Sequence, residues 1–199
     1  MQKSKLIFIV LLSFSCNYLP ESIGRINEIV VLVSPEDKEY IEPIFEDLFS
    51  ETIHTPQEEK MFILKYQDPW SLDDVRMHGN IILSAIDFPA DSSGDVLMKR
   101  IQSQYGDAKT ILALGDLYAK NQLFSTFNAL DALDLERNIY KNRKWILDQY
   151  NVLFENKMQK EIFKHGKNEE LSSEILRLLG YSIDLQVDFQ LIKLDSLNS

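Results

Sequence analysis

The chain has 199 residues, with 31 acidic against 21 basic side chains for a net charge of −10, 45% hydrophobic residues and one cysteine. That is one domain's worth of sequence, long enough to bury a real core. The charge argues against a nucleic-acid partner, which needs a basic face, and a lone cysteine excludes an intramolecular disulfide.

The chain opens MQKSKLIFIVLLSFSC. Lys3 and Lys5 give a positive start, and Leu6 to Leu12 run unbroken and apolar. The apolar core is about half the ~20 residues that span a bilayer as a helix. It has the proportions of a secretory signal, with small residues at its exit. Cys16 follows directly, and the arrangement resembles the lipobox of bacterial lipoproteins. Ser15 supplies the small residue before the cysteine. Ser13 stands where the usual pattern has Leu, with Leu12 one step further out. The resemblance implies cleavage before Cys16 and acylation of its sulfur. Loss of Lys3 and Lys5 then leaves 19 basic against 31 acidic residues, a charge of −12. Residues 1–15 are thus expected as a signal peptide, 16–23 as a short flexible tether containing Pro20, and 24–199 as one folded domain. A tether of that length spans only ~15 Å, so the domain is expected to sit against the membrane.

Ile29 to Val33 is a β-branched apolar run of strand length, the mark of a strand buried on both faces. Ser34-Pro35-Glu36-Asp37 then opens a helix, with Ser34 as N-cap and Pro35 in the first turn. Ile41, Ile44, Phe45, Leu48 and Phe49 recur at helical spacing. Met61 to Tyr66 reads as a second strand, Gln67 to His78 as a loop or short helix, and Asn80 to Ile86 as a third strand. Val96 to Tyr105 reads as a helix ending at Gly106. Thr110 to Leu114 reads as a fourth strand, extending through Gly115 towards Ala119 on its longer reading. Gln122 to Ala129 suits a fifth strand or a helix equally. Asp131 to Lys164 is one long helix, with Ile139, Ile146, Tyr150, Leu153, Met158 and Ile162 on one face. A short helix follows through Leu171, Ile175, Leu178 and Leu179 to Gly180. Tyr181 to Leu191 alternates apolar and polar residues at period two, the pattern of a half-wet strand. The expected fold class is therefore α+β: a two-layer domain with a mixed β-sheet of about five or six strands, helices packed on it, and one long helix in the C-terminal half.

Catalytic signals are absent from the sequence. His54, His78 and His165 lie at no metal-ligand spacing, and there is neither a G-x-S-x-G elbow nor a phosphate-cradling glycine loop. No metal and no cofactor is expected. Arg25 and Glu28 flank the first strand and suit an ion pair or a small ligand. Asp184 and Asp188 share the wet face of the last strand, an arrangement a glycosidase pair could use. Trp70, Tyr118, Tyr140 and Trp145 are expected as core or interface anchors.

Gly24-Arg25-Ile26-Asn27-Glu28 followed by an apolar strand resembles the start of an uncharacterised family of bacterial envelope lipoproteins, defined only as a domain of unknown function. Gly79-Asn80-Ile81-Ile82-Leu83 resembles its Asn-led strand, and Asp116-Leu117-Tyr118-Ala119-Lys120-Asn121-Gln122 its Asp, aromatic, Ala-Lys and Gln segment. Glu136-Arg137 sits where its long helix begins. The resemblance covers most of the chain after Cys16, and members of the family continue past the point where this chain stops. It carries no activity to transfer.

The expected function is a non-enzymatic binding or assembly module, lipid-anchored through Cys16 in a bacterial cell envelope. The alternative is an anchored hydrolase with a carboxylate site. The Tyr181–Leu191 strand edge is the expected contact for a protein partner or a second copy. The basic stretch Glu136–Lys167 is expected to face anionic headgroups while the acidic stretch Ser34–Glu59 points away.

Overall fold

The structure is a computed structural model, and it describes residues 18–53, 56–88, 93–105 and 111–192. In chain order the elements are β1 (Glu28–Leu32), α1 (Pro35–Leu48), β2 (Thr52–Ile53), β3 (Glu59–Lys60), β4 (Ile63–Gln67), a single 3-10 turn (Pro69–Ser71), α2 (Leu72–Val75), β5 (Asn80–Ile86), α3 (Ser93–Tyr105), β6 (Ile111–Gly115), β7 (Leu123–Ala129), α4 (Ala132–Ile162) and α5 (Glu169–Leu179). Five strands form one mixed sheet in the order β4-β1-β5-β7-β6, and β2 and β3 make a separate two-stranded ribbon. The first four of the five are parallel, and β6 returns antiparallel to β7 as a hairpin. The expected mixed sheet, packed helices and long C-terminal helix are all present.

The apolar runs explain the layering. In β1 every residue is buried. Ile29, Val31 and Val33 point into a core shared with α1 and α4, while Val30 and Leu32 point into a second core closed by α3 and Val75. A continuous run of this kind needs helices on both faces, because its alternate side chains leave on opposite sides. The structure supplies them, α1 and α4 on one face and α3 on the other. α1 starts as its sequence dictates: the Asp37 amide donates to Ser34 Oγ at 3.2 Å, and Pro35 fills a position where no amide donor is needed.

The segment Leu123–Ala129, which suited either state, is a strand. It pairs along its whole length with β5 and along Leu123–Phe127 with β6, so its backbone groups are satisfied only as sheet.

Two expectations need correction. Tyr181–Leu191 is not a strand. Its one ladder contact is an isolated bridge from Lys167 to Gln186, and Tyr181, Ile183, Val187, Phe189 and Leu191 stay largely exposed. Alternation is present, but the chain has left the sheet by then and, among the described residues, no strand lies beside it. The second is the two-layer arrangement: helices cover both faces of the sheet, α1 and α4 on one and α3 on the other, because the central strands are apolar on both sides. α1 and α4 pack side by side on one face, and Arg143 Nη1 meets Asp47 Oδ2 at 2.7 Å across their contact.

α4 has 31 residues, about 46 Å of helix, whereas the seven residues of β7 reach about 23 Å. Its first two-thirds bury Leu135, Ile139, Ile146 and Tyr150 against the sheet. Beyond that it overhangs the sheet, which is why Ile162, expected on the buried face, is 40% exposed. α5 and the following residues hang from this overhang: Asn168 donates its backbone amide to Leu185 O, and Gln186 Nε2 donates to Ile162 O.

Candidate functional site

Parallel strands β1, β5 and β7 begin at the same end of the sheet, and polar side chains gather there. Glu28 opens β1 and is buried, with Oε2 2.6 Å from Lys65 Nζ and Oε1 3.7 Å from Nδ1 of His78. Asn80 opens β5, and its Nδ2 donates to the carbonyls of Ile26 and Glu28 at 3.2 and 3.0 Å. Gln122, just before β7, ties three segments: Nε2 donates to the carbonyls of Arg76 (2.6 Å) and His78 (2.7 Å), and Oε1 accepts from the Tyr118 amide (2.8 Å). Carbonyls at strand beginnings lack ladder partners, and buried ones must find donors; these amide side chains provide them.

The N-terminal chain is fastened to the same end. Glu21 bridges to Lys120 and Ile23 to His78 in parallel fashion. The Ser22 amide donates to Lys120 O, the Lys120 amide to Pro20 O, and the Gly79 amide to Ile23 O. Lys120 Nζ stands 4.2 Å from the centre of the Tyr18 ring. The segment expected to be a loose tether is thus stitched into the domain from Pro20 onward.

Between residues 21–26 and the last turns of α4 lies a cleft of ≈ 220 Å³. Asn121, in the left-handed conformation at φ 57°, organises its wall. Its Nδ2 donates to Glu21 Oε2, its Oδ1 accepts from Lys160 Nζ, both at 2.8 Å, and its carbonyl accepts from Ser22 Oγ at 3.1 Å. Lys157 enters from α4, half-buried, over Gly79. A Cβ on Gly79 would lie 2.1 Å from Lys157 Nζ. Burial pulls the Lys157 pKa down from 10.5 to about 8, against the opposing pull of Glu21.

The residues singled out by sequence are not brought together. Arg25 is exposed and contributes its carbonyl to the Glu28 amide at 3.1 Å, while the Glu28 carboxylate is paired to Lys65 instead. Asp184 pairs with Lys167 at 2.5 Å, and Asp188 is exposed. With no strand beneath them, these two carboxylates share no pleated face. Cys16 and His54 lie outside the described residues. Trp70 and Tyr140 are exposed at 67% and 81%, and Tyr118 alone of the expected aromatic anchors has a ring contact, edge-on to Phe124 at 5.8 Å. Lys157 was not singled out. Its signal was present in the helical register: it follows Tyr150 and Leu153 at seven and four residues, a cation on the buried stripe of α4.

The opposite end of the sheet is where ligands enter doubly wound folds, outside the carboxyl ends of the strands at the point where strand order reverses. Here that point lies between β1 and β5. Asp37, completely buried, occupies it, with Oδ2 3.5 Å from the Ile86 amide.

Among the described residues no three His, Cys or carboxylate side chains gather as a metal site would need, and no helix is long and apolar enough to cross a membrane. Neither a curated protein nor a solved structure matches the chain. Residues 22–163, from the docked N-terminal segment to the end of α4, match the family described as Domain of unknown function (DUF8532), and the chain belongs to that family.

Proposed function

We propose that this protein is a lipid-anchored component of a bacterial cell envelope that serves as a non-catalytic binding or assembly module. The observation that carries the proposal is Cys16, the chain's one cysteine, set directly after a basic start, a short apolar run and small exit residues. A thioether-linked diacylglycerol with an amide-linked acyl chain anchors firmly, since each buried methylene contributes ~0.8 kcal/mol and more than one chain makes the attachment stable.

Two features favour binding over catalysis. Three of the carboxylates that line the clefts already have donors: Glu21 has Asn121, Asp47 has Arg143, and Glu161 has Lys164. Between α1 and α4 a groove of ≈ 340 Å³ is rimmed by Tyr40, Leu133, Tyr140 and Arg143, and aromatic and arginine side chains are the residues that anchor protein interfaces. The test is intact-mass analysis of the native protein together with labelled palmitate and a Cys16→Ser variant. An acylated chain starting at Cys16, and release of the variant from the membrane fraction, are expected. An unacylated native chain, or a variant that still sediments with the envelope, overturns the proposal.

A further inference from the structure

We propose that the cleft between residues 21–26 and the end of α4 takes the phosphate of an anionic lipid headgroup, with the Lys157 ammonium as its counter-ion. The inference rests on the lipid-anchored reading above and assigns a contact to the end of the domain nearest the anchor.

The chemistry starts with Lys157. Its amine is half-buried and makes no ion pair or hydrogen bond among the described residues. Burial already favours its neutral form. An ammonium withdrawn from water without a counter-ion is costly, and a phosphate oxygen at hydrogen-bond distance reverses that cost. Glu21 pulls on this charge, but from beyond ion-pair distance. Glu21 accepts from Asn121 Nδ2, and Glu161 is held by Lys164 at 2.5 Å. Lys160, whose ammonium spends one of its three hydrogens on Asn121 Oδ1, adds a donor at the same cleft.

Placement supplies the second argument. Residues 20–23 are hydrogen-bonded to Lys120, Met77 and Gly79, and two residues of chain reach at most about 7 Å. On the lipid-anchored reading this brings the bilayer surface against the end of the sheet that carries Lys120, Lys157 and Lys160. Charge makes the contact local. The chain as a whole repels anionic surfaces at −10, so attraction has to come from this end and within a Debye length of it.

The test uses the full chain carrying Cys16→Ser, which has no acyl group of its own. Binding to vesicles of phosphatidylglycerol and of phosphatidylcholine is compared at low salt, and the Lys157 side-chain resonance is followed by NMR as inorganic phosphate is added. Comparing lipids and variants cancels any apolar attraction of residues 6–14. Expected are a preference for phosphatidylglycerol, its reduction by about fivefold in Lys157→Gln, the worth of one lysine at an anionic surface, and its retention in Lys157→Arg. Gly79→Ala should act like Lys157→Gln, because the added Cβ displaces a flexible amine rather than backbone. Equal binding to both lipids, or a Lys157→Gln chain that behaves as the parent, overturns the proposal. A phosphate-induced shift at Lys157 without any lipid preference assigns the cleft to a free phosphate and overturns the headgroup. Acylation is read separately by mass, so the anchor and the headgroup contact can fail independently.

Discussion

Removing the hydroxyl of Tyr150 measures how firmly α4 is held to the sheet. The side chain is 1% exposed, its OH donates to Ser125 Oγ at 3.0 Å, and its ring stands edge-on to Phe49 at 5.0 Å. Tyr150→Phe keeps the ring and loses one net hydrogen bond, 0.5–1.5 kcal/mol, while stranding a buried serine oxygen at ~1–3 kcal/mol; about 2 kcal/mol of destabilisation is expected. Ser125→Ala strands the phenol instead and should cost a similar ~2 kcal/mol. The double variant strands neither group, so its cost should fall to about 1 kcal/mol, the net hydrogen bond alone, rather than the ~4 kcal/mol of simple addition. Tyr150→Ala also loses the ring and leaves a cavity, for about 5 kcal/mol in all. Urea unfolding of the four variants by circular dichroism gives each value. Additive single and double costs, or a Tyr150→Phe within ~0.3 kcal/mol of the parent, would refute the reasoning.

Other expectations concern the basal end of the sheet. Stability should rise with pH from about 8 towards the ordinary lysine value of 10.5, because there the unfolded chain still holds a proton that native Lys157 has released. In Lys157→Met that rise should vanish and stability at pH 7 should increase; urea midpoints between pH 7 and 9.5 check both, and an unchanged slope would reject the burial argument. Gln122→Leu leaves the carbonyls of Arg76 and His78 and the Tyr118 amide without their partner. It should cost about 2–4 kcal/mol, against under 1 kcal/mol for Lys141→Gln at an exposed position of α4, by the same unfolding measurement.

The sequence was legible where burial is complete. Ile29–Val33 and Asn80–Ile86 are apolar at nearly every position because helices cover both faces, and a run of that kind has few other readings. The start of α1 was equally plain, since Ser34 and Pro35 act within one turn. Tyr181–Leu191 misled because alternation reports which side chains would share a face. It does not report whether another strand is within reach, and pairing is a property of the whole chain. For the same reason the Arg25–Glu28 pair failed: neighbours in sequence, they are separated by the entry into β1, while Lys65 arrives beside Glu28 through the β1–β4 register. Lys157 and Gly79 are 78 positions apart in the chain, and only the fold makes them a site.

The stitching of Pro20–Ile23 onto Lys120 and Met77–Gly79 also fixes how the molecule takes mechanical load. A pull on the chain ahead of Tyr18 is not absorbed by slack. It enters through the hydrogen bonds of Ser22, Ile23, Gly79 and Lys120, and from Gly79 and Lys120 passes to the roots of β5 and β7. These are interior strands of the sheet, each flanked on both sides. Tension is thereby spread across several bonds loaded together, and the part of the protein that strains first is its most firmly braced.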